Sequence, residues 1–389
     1  IEKLLEHYDE LSDHIKVETK DPDLYPKFTS QYTDQTVAAN SVIVVCGDKS
    51  KVVSNSDMWE TSTNYQTYQT QTTGFDGEGQ ITSAITYVTS ENNPKVYWVT
   101  GHGEASESDL STNFSDAVNK NNVEISDLAL MTDDIPEDAE ELVIMSPTTD
   151  FSEDEANKVI TYLENGGKLL MFTSYTGTDM PNLDSILENY GVKRSSGIVV
   201  ETDSQHYYPQ MPYYLLPNIQ SDDITTEVKS NYILMPVAQA IQKLDSYRDT
   251  ITIKSLLTTT EDAYIENDPE NSTWSKSADS ETGAFDLGVS ITETVDDKET
   301  QIIYFSSASM LSSQIDQAIS GANSKLAATA LTSMCDVEQT VVIPSKSTSY
   351  TNLVFTQGAV NTWSIITIAG IPLVLVVIGV MIWMKRRKQ

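Results

Sequence analysis

The carboxyl end constrains this chain more than any other part of it. Between Trp363 and Met384 no residue is charged, and the stretch reads IITIAGIPLVLVVIGVMIW before the basic run Lys385, Arg386, Arg387 and Lys388. A helix over 363–384 is about 33 Å long at about 1.5 Å per residue, enough to cross a hydrocarbon core of about 30 Å. Trp363 and Trp383 stand at its two ends, where an indole keeps its ring in the apolar layer and its N–H at the wet boundary. Pro372 removes one internal hydrogen bond, which a spanning helix tolerates. A buried core helix of this length would carry a polar face, and this one has none. The basic tail 385–389 beside the span favours the cytoplasm. The large remainder is therefore expected outside it, on a single carboxyl-terminal span.

That remainder has the opposite character. The chain carries 57 acidic against 24 basic residues, a net charge of −33, and four of the basic ones belong to the tail. Nucleic acid and anionic lipid headgroups need a basic surface, so neither is an expected partner of the acidic part. A hydrophobic content of 39% still suffices for packed cores. About 360 residues outside the span imply two or more domains. Cys46 and Cys335 each lie in or beside an apolar run, which fits buried thiols; a disulfide between them is the alternative in an exported protein. The chain opens at Ile1, inside a helical pattern, without Met or a signal peptide. Export of a large domain needs a signal, so the natural amino terminus is expected to lie upstream of Ile1.

Ile1, Leu4, Leu5, Tyr8 and Leu11 share one helical face. A strand over 15–19, a short helix near 23–33, a hairpin of strands 41–47 and 51–54, a Thr/Gln-rich loop over 55–77 and a helix over 79–90 follow. This α–β–α–β–β–α order is that of a thioredoxin-like unit over 1–92, without the Cys-x-x-Cys that redox chemistry needs. From Pro94 the rhythm changes. Strands at 95–101, 123–130, 141–147 and 168–174 alternate with helices at 109–121 and 151–167, the second opened by a Ser152–Glu155 capping box and closed by Gly166 and Gly167. Alternation at this spacing predicts an α/β, parallel, doubly wound sheet. Further strands are expected at 286–294, 301–309 and 340–345, a helix at 321–334 and a polar excursion over 266–283. The resulting organisation is a first unit over 1–92, an α/β domain over 93–345, a linker over 346–362 and the span 363–384.

The candidate site is Gly101-His102-Gly103-Glu104, at the carboxyl end of the first strand of that sheet, where doubly wound sheets hold ligands. His102 is a general base in one reading, with Glu104 its partner or a metal ligand. In the other it is a turn requiring two glycines, with His102 and Glu104 bonded to the loop. Only four histidines exist, and neither a G-x-S-x-G nor a G-x-C-x-G elbow is present. Nor is there a P-loop or G-x-G-x-x-G, so nothing supports nucleotide binding and no cofactor is expected. Asp76, Glu78, Glu266 and Asp268 lack the order of a calcium loop, and no metal is expected. Tyr207, Tyr208, Tyr213 and Tyr214 form an aromatic string that either stacks on a glycan or peptide or packs on its own domain. No L-P-x-T-G precedes the span, which argues against covalent wall attachment.

VYWVTGHGE (96–104), ELVIMSPTTDFSEDEANKVITYLENGGKLLMF (141–172), IIYFSSASMLSS (302–313), ANSKLAATAL (322–331) and the tail IPLVLVVIGVMIWMKRRK occur in that order. In this the chain resembles the GldG-like, gliding-motility-associated auxiliary subunits of ABC transporters, over nearly its whole length. At 306–309 it carries Ser-Ser-Ala-Ser where those relatives tend to carry a Gly-Asp pair. The resemblance implies an additional amino-terminal span that would supply the export signal, a thioredoxin-like unit, then a glutamine-amidotransferase-like α/β domain without the catalytic cysteine. It implies a non-enzymatic, extracytoplasmic accessory protein beside an ABC-2-type permease and a separate cytoplasmic ATPase, contacting cargo or the permease. Two other readings stand beside it: a stand-alone membrane-anchored binding protein for glycan or peptide, and a hydrolase built on His102 and Glu104.

Overall fold

The computed structural model describes residues 1–387 apart from 23, 26, 34–35, 65–68, 91–92, 271–272, 336–342, 344 and 348–354. The chain divides into two compact units, one of residues 1–96, 116–125 and 335–351, the other of 97–115, 126–334 and 352–389.

The first unit begins with helix α1 (Glu2–Leu11), which has no fully buried residue. The hairpin of β1 (Val42–Cys46) and β2 (Lys49–Val53) forms in antiparallel register, Val42 opposite Val53, around a turn in which Gly47 has φ +57°. The expected strand over 15–19 does not form, and of the helix near 23–33 only the 3-10 turn Thr29–Gln31 appears among the described residues. The element order required of a thioredoxin-like unit is therefore incomplete. The expected loop over 55–77 is instead largely β: β3 (Trp59–Asn64) pairs antiparallel with β4 (Gln69–Phe75). Its Thr-rich composition signals β-branched strand as readily as loop. Helix α2 (Gly77–Thr89) lays Ile81, Ala84 and Val88 inward. The small core joins Val53, Met58 and Ala84, with Ile1, Val42, Val44 and Phe75 packed on it. Cys46 is an exposed free thiol, against the expectation of burial, because it ends the exposed half of β1; Cys335 is buried. The strand expected at 340–345 falls mostly outside the described residues. The next described element there is the short β19 (Lys346–Ser347), paired with β4.

The second unit is organised by a large mixed sheet. β5 (Lys95–Val99) is followed by α3 (Thr112–Lys120), β6 (Glu124–Leu128), β7 (Glu141–Met145), α4 (Glu153–Glu164), β8 (Lys168–Phe172) and α5 (Pro181–Asn189). Every residue of β7 and all but the first of β8 are buried, as strands covered on both faces must be. β8 pairs parallel with β7 and, on its other side, with β18 (Lys298–Phe305). From β18 outward the sheet turns antiparallel through β17 (Asp286–Val295), β14 (Gln239–Lys243), β9 (Val192–Val200) and β16 (Tyr264–Glu266). β15 (Ile251–Thr258) pairs with β17, and β12 (Asn218–Ile219) with β15. The parallel, doubly wound reading thus fails for this half of the sheet. The reason is local: β17 and β18 are joined by the two-residue turn Asp296–Asp297, both at positive φ, which reverses the chain without a crossover helix. A separate three-stranded sheet holds β10 (Tyr207–Tyr208), β11 (Met211–Leu215) and β13 (Met235–Pro236). Helices α6 (Ser313–Ala318) and α7 (Ala322–Met334) follow β18, and the face of α7 bearing Leu326, Ala327, Ala330 and Leu331 is buried.

The apolar helix runs continuously over 357–387, and none of its residues from Ile366 to Arg387 is buried. It is long and apolar enough to span a membrane. It starts six residues before Trp363, with Thr356 as N-cap accepting from the Ala359 N–H. A π-turn at Ile366–Gly370 precedes Pro372. Such a turn re-spaces the backbone where proline deletes an N–H donor and its ring crowds the preceding turn.

Candidate functional site

The GHGE turn follows β5 directly. Gly101 and Gly103 take φ values of +123° and +76°, which explains two glycines in one tetrad. A methyl group on Gly103 would lie 2.1 Å from Thr148 Oγ1, so the turn is pressed against the loop that follows β7. That loop grips it: the N–H groups of Thr148 and Thr149 both donate to the His102 carbonyl, at 2.8 and 3.0 Å. The Trp98 indole N–H donates to the Ala105 carbonyl at 2.9 Å, tying the far side of the turn to its own strand.

The His102 ring lies between two carboxylates. Nδ1 is 3.2 Å from Glu104 Oε1 and Nε2 is 3.3 Å from Glu155 Oε2, and the ring stands 4.3 Å from that of Phe151. The three polar side chains are only 2–5% exposed. Glu104 also accepts from the His102 N–H at 2.7 Å. Glu155 belongs to the capping box of α4, accepting from the Ser152 N–H and hydroxyl at 2.9 and 2.7 Å while its own N–H donates to Ser152 Oγ. Burial pushes the Glu155 carboxyl up, but the two Ser152 bonds and His102 together outweigh it and hold the group below the usual carboxylate range. Both ring nitrogens donate at once only in the imidazolium form. A base must reach a substrate proton, and here both nitrogens face protein carboxylates.

Sequence reading found His102 and Glu104 but assigned Glu155 only to helix capping; the second role needs the fold to bring α4 against the GHGE turn. Two further features were missed. Ser146, at the end of β7, has φ +54°, an uncommon conformation for a residue other than glycine. Its hydroxyl donates to the Ser174 hydroxyl at 2.8 Å, which is not a base able to activate it. Asp316 is fully buried and accepts from Ser111 Oγ, Asn113 Nδ2, Ser324 Oγ and the Ser324 N–H at 2.7–2.9 Å, knitting α6 and α7 to the start of α3. No pattern within S-S-Q-I-D-Q-A sets that aspartate apart.

The tyrosines lie elsewhere, on the three-stranded sheet. Tyr207, Tyr208, Tyr213 and Tyr214 are all half-buried. Tyr213 packs 4.4 Å from Trp274 and 5.4 Å from Tyr214, so part of its ring surface is already used within the protein. In the first unit, Asp76 pairs with Lys120 at 2.7 Å and Glu78 with Lys346 at 2.8 Å. Among the described residues no three His, Cys, Asp or Glu side chains group as a metal site would require. The same unit contains a cleft of about 330 Å³ lined by Lys51, Tyr32, Ser50, Tyr87, Asn119 and Asn122. Lys51 donates to Asn122 Oδ1 at 2.6 Å and lies 5.0 Å from the Tyr87 ring centre, and burial pushes its ammonium down to about 8.

The family model described as ABC-type uncharacterized transport system matches residues 93–333. No curated protein matches the chain. Among solved structures, the mmIFT52 N-terminal domain is similar at 15% identity with a TM-score of 0.45, over 62% of this chain and 96% of that one. The exo-β-1,4-mannosidase Op5Man5 from Opitutaceae bacterium strain TAV5 is similar at 10% identity with a TM-score of 0.32, over 65% of this chain and 37% of that one.

Proposed function

This chain belongs to the ABC-type uncharacterized transport system family of auxiliary components, and from that premise we propose that it is a GldG-like, non-catalytic, extracytoplasmic subunit of an ABC-2-type transporter. In this reading the apolar helix anchors it beside the permease, and a separate cytoplasmic ATPase supplies the energy. The absence of a P-loop from the sequence is in keeping with that division of labour. Lys385, Arg386 and Arg387 at the end of the helix favour the cytoplasmic side, which supports an extracytoplasmic position for the acidic part.

The observation that carries the non-catalytic part is the closure of the His102 cluster. Its ring is held by Glu104 and Glu155, backed by Phe151 and sealed from solvent, an arrangement suited to fixing a turn rather than to proton transfer. We read the mixed sheet as amidotransferase-like. Ser146 occupies a strained strand end of the kind where a nucleophile would sit, without the base that would activate one. The domain would then serve as a contact surface for cargo or for the permease.

The test is recovery of partners. A tagged full-length chain, extracted in mild detergent and purified from its native membrane, is expected to bring down a permease and an ATPase in fixed proportion. Replacing the apolar helix by an unrelated span should weaken that recovery if the helix makes the contact. Repeated recovery of the chain without either protein would sink the auxiliary-subunit reading.

A further inference from the structure

The segment from Ser204 to Ser221 contains no charged residue, in a chain with 57 acidic residues among 389. Within it, β10 and β11 form a hairpin that carries four tyrosines, with Gln210 at positive φ in the turn and Met211 37% exposed beside it. This hairpin is bonded to the foot of the apolar helix. The Gly358 N–H donates to the Ser204 carbonyl at 2.6 Å, the Gln210 N–H to Gln357 Oε1 at 2.9 Å, and the Thr356 hydroxyl to Gln205 Oε1 at 3.1 Å. Gly358 is buried there, and a methyl group on it would fall 1.5 Å from the Gln205 amide. A side chain there would push the Gln205 amide out of its place against the helix.

The helix itself gives the height of this contact. Gln357 precedes Trp363 by six residues, about 9 Å along the axis at about 1.5 Å per residue. The hydrocarbon layer begins near Trp363, and the polar layer outside it is about 5–8 Å thick. At about 9 Å, Gln357 stands at the outer edge of that layer, and the hairpin turn bonded to it is held against the headgroups whenever the helix spans. A surface at that level is expected to lack acidic groups, and to carry aromatic rings with one apolar and one wet end. The 204–221 segment has both properties, and Phe355, which is exposed just before the helix, continues the same band.

We infer that the β10–β11 hairpin is a second membrane contact: its turn rests against the headgroup layer of the bilayer and, through Ser204, Gln205 and Gln210, sets the orientation of the second unit over the membrane. The contact is with lipid and not with a protein partner. The inference rests on the spanning helix but not on the transporter assignment, and it holds for either orientation across the membrane.

The test uses the full chain in phosphatidylcholine vesicles carrying doxyl groups at either a shallow or a deep position. Cys46→Ser and Cys335→Ser give a cysteine-free background, and Met211→Cys carries an environment-sensitive fluorophore. Quenching of this label by shallow doxyl lipid, with little by deep doxyl lipid, is the expected result. Asp297→Cys, in the acidic β17–β18 turn, should remain unquenched when labelled in the same way. Adding Gly358→Leu to Met211→Cys should reduce the shallow quenching by freeing the hairpin from the helix. A label at Ile378→Cys reports the span itself, through quenching by deep doxyl lipid. Quenching at 378 with none at 211 overturns the inference and leaves the hairpin to a protein partner. Absence of quenching at both positions removes the span and the inference together.

Discussion

Replacing Glu155 with alanine tests the role assigned to the His102 cluster. The Ser152 hydroxyl still caps α4, so the principal loss is the return arm of the box and the acceptor facing His102 Nε2. Ser152 is exposed, and water can replace the bond to its N–H, which limits that part of the cost to about 1 kcal/mol. The imidazole has no such recourse. A buried donor left without its acceptor costs about 1–3 kcal/mol. The total is about 3 kcal/mol, or roughly a hundredfold faster amide exchange where exchange proceeds through the opening of this region. Hydrogen-exchange mass spectrometry on the full chain in detergent, read over 95–105 and 141–164, measures it. Glu153→Ala, in the same helical turn but exposed, is the control and should change little. The difference also depends on pH. Because Glu155 is held below its ordinary value, its contribution is complete above the unfolded carboxylate range and is lost as pH falls through the folded value. The gap between wild type and variant should therefore close in acid. If Glu155→Ala exchanges no faster than Glu153→Ala near neutrality, Glu155 is a helix cap alone and the clamp on His102 is refuted.

Lys51 acts with the same sign in a more alkaline window. Its folded value of about 8 lies below the ordinary 10.5, so the unfolded chain binds more protons between the two and stability should rise with pH across that window. Urea midpoints of the full chain should climb from pH 8 to pH 10 and lose that slope in Lys51→Met; an unchanged slope would refute the desolvation argument. Gly103→Ala should cost about 2–4 kcal/mol, because alanine disfavours φ +76° and its methyl group meets Thr148 Oγ1. Thr148→Ala in the same chain should recover part of that loss in urea unfolding but not all of it, since the backbone strain remains.

The sequence by itself determined the features whose physics is local. Twenty-two uncharged residues ended by two tryptophans and a basic run can form little except a spanning helix, and the helix over 357–387 contains them all. The capping box at Ser152 and Glu155 set the start of α4 at the expected residue, and the buried runs of β7 and β8 were legible as continuous apolar strings. Gly101 and Gly103 announced a tight turn because only the backbone needs them. What remained undecided locally went to tertiary structure. Thr-rich 55–77 reads as a loop in sequence, and only the pairing of β3 with β4 makes much of it strand. Parallel strands alone were expected because alternating helices covered only the first half; beyond residue 190, short turns and unequal strands left the antiparallel half without a periodic signature. Glu155 and Asp316 gained their partners from segments 53 and 205 residues away, through His102 and Ser111. A carboxylate in a helical stretch looks solvated in sequence, and only the packing of distant elements around it makes it the centre of a buried network.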